Sequence, residues 1–102
     1  MTKQVSLMVN DSPVPLDYFV QGFIDHTLSG MVSGLEGTPK TISQIKKLDL
    51  LIDDHKVRIN LNGEQIPINA FVNKIIGNIV VGMVSSLKGI GSASKVDIHI
   101  SK

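Results

Sequence analysis

The chain contains no cysteine and no tryptophan. Without cysteine there are no disulfides, no thiolate catalysis, no Cys-ligated zinc and no iron–sulfur cluster. Aromatic residues are 4% of the 102 positions, a poor supply for a platform on which nucleic-acid bases stack. Charge is scarce too: 19% of residues are charged, below the usual quarter. Ten basic side chains against nine acidic ones leave a net charge of +1, which argues against nucleic-acid binding by bulk charge. The longest nearly apolar run, Ile75 to Val84, is interrupted by Asn78 and falls far short of the roughly 20 residues that span a bilayer. The stretch MTKQVSLMVND has no apolar segment of the secretory-signal kind. The expectation is a cytoplasmic protein with no membrane contact.

Hydrophobic residues, by contrast, reach 42%, in a chain whose length suits one domain, 1–102. That much apolar material with so little charge exceeds what a small fold covers alone, and points to a homo-oligomer.

The chain reads as one unit written twice. Residues 5–37 lie over residues 57–89 without a gap, and 12 of these 33 positions are identical. Chance at average residue usage gives about two or three. Asn10/Asn62, Pro15/Pro67, Phe19/Phe71, Ile24/Ile76, Gly30/Gly82 and Met31/Met83 are among the matches. After the four residues from Thr38 to Thr41 are dropped, Lys47/Lys95, Asp49/Asp97 and Ile52/Ile100 align as well. We read two βαβ repeats, 5–52 and 57–100, from an internal duplication of a former dimer subunit.

Each repeat opens and closes on an alternating strand, VSLMV and VRINL at the start, Leu48–Ile52 and Val96–Ile100 at the end. Asn10-Asp11 and Asn62-Gly63 predict tight type I′ turns after the opening strands, with Val14 and Ile66 folding back briefly before Pro15 and Pro67. Asp17 and Asn69 suit helix N-caps, and Gly37 and Gly89 suit the helix C-termini. The helices are expected over 18–36 and 70–88. Each carries an apolar arc of about 220°, wider than packing on a sheet requires. Phe19, Phe23 and Met31 in the first, and Phe71, Ile75 and Met83 in the second, are part of it. The excess is assigned to the sister helix and to a second chain. Gly30 and Gly82, each costing up to about 1 kcal/mol in a helix interior, predict close backbone approach between the two helices.

The order β-α-β-β-α-β with a hairpin at Asp53–Lys56 predicts an α+β, ferredoxin-like split βαβ sandwich. Its four-stranded antiparallel sheet has order 4-1-3-2 and two helices on one face. The opening strands are then central and pair with each other about a pseudo-twofold. They present Met8, Arg58 and Asn60 on the open face, with His99 beside Asp97 at an edge.

No nucleophile elbow, phosphate-binding loop or metal-ligand spacing is present. His26 and Asp25, adjacent on a helix, do not share a face. His99 and Asp97 do share one, but two ligands fall short of a metal site. No catalytic residue, metal or cofactor is assigned. The function expected is a non-enzymatic binding or protein-interaction module, homo-oligomeric, of unknown ligand. If a small ligand binds, Asn10, Asp17, Asn62 and Asn69 are the candidate positions, near helix N-termini where backbone amides can hold an anion. The alternatives are a small enzyme completed across a dimer interface, with His26 or His99 as acid or base, and weak nucleic-acid binding through Lys47, Arg58 and Lys95.

Overall fold

The computed structural model describes residues 4–34, 46–87 and 93–101. In chain order the elements are β1 (Gln4–Val9), β2 (Ser12–Pro13), α1 (Tyr18–Ser33), β3 (Lys47–Asp53), β4 (Lys56–Leu61), β5 (Glu64–Gln65), α2 (Ala70–Ser85) and β6 (Lys95–Ser101). They form one six-stranded antiparallel sheet, β2-β1-β6-β3-β4-β5, with two helices.

Three two-residue turns set the hairpins. Asn10 and Asp11 have φ of 51° and 67°, Asp54 and His55 have 50° and 67°, and Asn62 and Gly63 have 53° and 87°. Two successive positive φ values define the type I′ turn, whose twist matches that of the flanking strands. After them Val14 N–H donates to the Leu7 carbonyl at 2.9 Å, and Ile66 N–H to the Ile59 carbonyl at 2.8 Å. His55 holds a left-handed conformation that costs a β-carbon about 1 kcal/mol. His55→Gly is therefore expected to raise the melting temperature by a few degrees; a lower one in a thermal scan contradicts this reading of the turn.

Each helix starts where its cap requires. Asp17 and Asn69 are extended, and their side chains accept from Val20 N–H and Val72 N–H, both at 2.8 Å. The helices close earlier than expected, at Gly34 and Ser86, whose N–H groups bond the Met31 and Met83 carbonyls at 3.2 Å. Gly37 and Gly89 lie outside the described residues.

The core is one cluster. Ile24, Leu28 and Val32 of α1, with Ile76, Val80 and Val84 of α2, meet the inward residues of the four long strands. Leu50, Ile59, Ile98 and Ile100 are among its fully buried members.

The sheet order corrects the ferredoxin-like expectation. Numbered among the long strands alone, the order is 1-4-2-3 rather than 4-1-3-2, with two short strands added at the edges. The closing strands β3 and β6 are central, and the opening strands β1 and β4 lie apart on their flanks. The reason is local. β1 gives one edge to β2, and β4 gives one edge to β5. A strand with one edge taken by a short return strand has only one edge left for a long neighbour; β3 and β6 have no such return and pair with long strands on both edges. The pairing is nevertheless reciprocal between the repeats: Val5 is opposite Ile100 and Val57 opposite Ile52, while Leu50 is opposite Ile98. These registers interchange under exchange of the two units, about an approximate dyad at the Leu50–Ile98 pair.

Two further corrections concern the helices. Among the described residues a β-carbon built on Gly30 or Gly82 would meet nothing within 4 Å, so these glycines do not mark close approach of the sister helix. Asp25 and Ser29, polar residues on α1, are buried, with Ser29 Oγ donating to Asp25 Oδ1 at 3.3 Å. The helix is thus rolled so that Phe19 and Phe23 turn outward.

Candidate functional site

Three places bring chemistry-bearing or unpartnered side chains together. The first is the open face of the sheet. Met8, Arg58, Asn60 and His99 all lie there, but Met8, Arg58 and Asn60 are on the flanking strands and His99 is on a central one, the reverse of the expectation. The β3–β6 register sets Asp49 opposite His99 and Leu51 opposite Asp97. His99 Nδ1 lies 2.6 Å from Asp49 Oδ1, and Nε2 lies 2.8 Å from Asp97 Oδ1. Asp49 and Asp97 are the matched aspartates of the two repeats; the position matching His99 is Leu51. The ring therefore spans two carboxylates that β-pairing brings to one spot. Nδ1 is within hydrogen-bond reach of Asp49, and Nε2 makes a close contact with Asp97. Among the described residues no group of three His, Cys, Asp or Glu can hold a metal ion.

The cations of this face are spread among carboxylates rather than gathered. Lys95 Nζ is held by Asp11 Oδ1 at 2.9 Å. The hydrogen bond that Lys95 donates to Asp11, then the charge of Asp11, raise the Lys95 pKa above the ordinary lysine value of 10.5, with smaller help from Asp53 and Asp97 against a desolvation effect that lowers it. A raised lysine pKa adds stability below the unfolded-state value and loses it as pH climbs through the folded-state value. Asp11→Asn should therefore differ from the parent at neutral pH and converge with it in alkaline melts, the gap also narrowing in high salt. A gap that widens with pH contradicts this.

The four loop positions proposed for a ligand are engaged within the chain. Asn10 Oδ1 accepts from Ser94 N–H, Lys95 N–H and Ser94 Oγ at 2.8–3.0 Å, and Asn62 Oδ1 accepts from Lys46 N–H and Lys47 N–H at 2.7 and 3.0 Å. Each asparagine latches the approach to the other repeat's closing strand. Asp17 and Asn69 cap their helices. A ligand at these atoms would compete with those bonds.

The second place is a cavity of about 390 Å³ beside Gly77, between α2 and the turn at Asp54-His55. The first repeat has the buried Asp25 and Ser29 at the positions of Gly77 and Val81. Asn73 on its wall is committed: its Oδ1 accepts from Val57 N–H and its Nδ2 donates to the His55 carbonyl, both at 2.8 Å.

The third place is the outer face of the helix layer. Among the described residues the exposed large hydrophobic side chains are Tyr18, Phe19, Phe23, Phe71, Ile75 and Ile79, all of them helical. Phe19 is 76% exposed and its counterpart Phe71 is 71% exposed. Phe19 and Phe23 stack obliquely, centroids 6.3 Å apart, one turn from each other. They form one wall of an apolar groove of about 470 Å³, and Gly82, Met83 and Leu87 of α2 form the other. The two helices carry two charged residues, Asp25 and Lys74, and Asp25 is buried. Sequence reasoning placed Phe19, Phe23, Phe71 and Ile75 in an apolar arc wider than the sheet requires, without telling which of its members turn outward. The signal that could have found them was the lack of charge on either helix, which leaves no polar face to turn outward.

No helix among the described residues is long and apolar enough to cross a membrane. No family model matches the chain, and neither do the curated proteins or the solved structures.

Proposed function

We propose that the protein is a non-enzymatic interaction module whose working surface is the outer face of its helix layer. The observation that carries this reading is the segregation of the two faces. The exposed large apolar side chains lie on the helices, while the open sheet face carries interleaved charges of both signs. A free helix layer with one exposed formal charge, at Lys74, is a poor surface for water and a good one for a protein contact. Against an enzyme stand the double engagement of His99 and the place of His26, exposed on α1 while its neighbour Asp25 is buried. Against nucleic acid stand Asp49, Asp53 and Asp97 among the cations of the sheet. In this reading the chain arose by duplication of a half-domain, which the interchangeable registers support.

Hydroxyl-radical footprinting in concentrated lysate tests it. Tyr18, Phe19, Phe23 and Phe71 should be labelled less than in the dilute purified protein, and Met8 on the sheet face should not change. Equal labelling of the four aromatics in both conditions refutes the reading.

A further inference from the structure

The geometry points to a second copy of this chain as the occupant of the helix layer, seated helices against helices with both sheets outermost. This rests on the reading that the layer is a contact surface, and names what it contacts.

Area is the first argument. The six exposed side chains offer about 700 Å² of apolar surface, judged from aromatic side chains that bury roughly 150–250 Å² each. One partner in a stable interface of ordinary size contributes about 800 Å². The patch is thus close to one whole side of a dimer contact.

Shape is the second. Phe19 and Phe23 on α1 correspond to Phe71 and Ile75 on α2, so the approximate dyad of the chain carries one stripe onto the other. A surface with its own twofold meets a copy of itself by an isologous contact, each stripe facing its equivalent. Projection and recess occur on the same face: the rings stand out, and the groove beside Gly82 and Met83 takes them in. The open space over Gly30 and Gly82 then has a use, because side chains of the other copy can approach the helix backbone there.

Charge is the third. A lipid surface selects amphipathic helices with several Lys or Arg at their flanks, and here the helices offer Lys74 alone. A partner chosen by charge would find almost nothing to read. An uncharged apolar face fits another of its own kind.

The test uses the full chain, its Gly82→Leu variant and light scattering after size exclusion over a wide concentration range. The parent should reach twice 11.0 kDa. At Gly82 an added β-carbon meets no described atom within 4 Å, and a leucine there extends into the groove between Phe19, Phe23 and Met83; the Gly82→Leu far-UV spectrum should match the parent while its self-association weakens by about a hundredfold. Because the chain has no cysteine, one introduced thiol reports only on contacts between copies. Disulfide dimers should form at one or more of Phe19→Cys, Phe71→Cys and Ile79→Cys, and at neither Ser6→Cys nor Asn60→Cys. A parent that stays at 11.0 kDa at every concentration overturns the second-copy assignment. If its aromatics are still protected in lysate, the interaction reading survives with another partner; if they are not, both fall. A dimer that is indifferent to Gly82→Leu and cross-links through the sheet face also overturns the assignment, as does a monomer whose helix layer binds vesicles of anionic lipid.

Discussion

Ile98→Ala lowers the unfolding free energy by about 3–4 kcal/mol and the melting temperature by roughly 15 °C. Ile98 has no exposed surface and lies opposite Leu7 on one side and Leu50 on the other, at the middle of the sheet. Truncation there removes methyl groups from the fullest part of the core and leaves a cavity that the flanking strands, fixed by their ladders, cannot close. Against a total of about 5–15 kcal/mol for a domain of this class the loss is severe. Leu50→Ala, at the equivalent place in the other repeat, should cost a similar amount. A change below about 1 kcal/mol for both, in denaturant titrations, would mean that the centre of the molecule is elsewhere.

Phe19→Asp combined with Phe71→Asp has the opposite signature. Both rings are mostly exposed in the single chain, so little packing is lost within it. Each new carboxylate falls in the first turn of a helix that has no acidic residue there, where it interacts favourably with the unpaired N–H groups by about 0.5 kcal/mol. The folded monomer should therefore be as stable as before or slightly more so. In the dimer both rings are withdrawn from the contact and two carboxylates per copy enter an apolar interface, so the dissociation constant should rise by about a thousandfold or more. Sedimentation equilibrium and a melt at low concentration separate the two effects. A fall in monomer stability would place these rings in the core of the single chain.

Local chemistry was legible in the sequence where neighbouring residues decide it. The Asn10 and Asn62 turns, the Asp17 and Asn69 caps and the helix starts at Tyr18 and Ala70 all depend on a few adjacent residues. The strand order did not have that property. The hairpins at Asn10-Asp11 and Asn62-Gly63 were read as turns, and their consequence, that each opening strand spends one edge on its own return, decides which strands are central. The Asp49–His99 contact failed for the same reason: it joins residues 50 apart and exists only through the β3–β6 register. The roll of α1 escaped because burial of Asp25 and Ser29 runs against hydrophobic patterning.

The assignment of one charged face and one apolar face depends on β3 and β6 forming the middle of the sheet. Cross-strand backbone NOEs in the labelled protein test that most directly. They should connect Leu50 with Ile98 and Asp49 with His99, and none should link β1 to β4. A ladder of NOEs joining β1 to β4, with none between β3 and β6, would contradict the account.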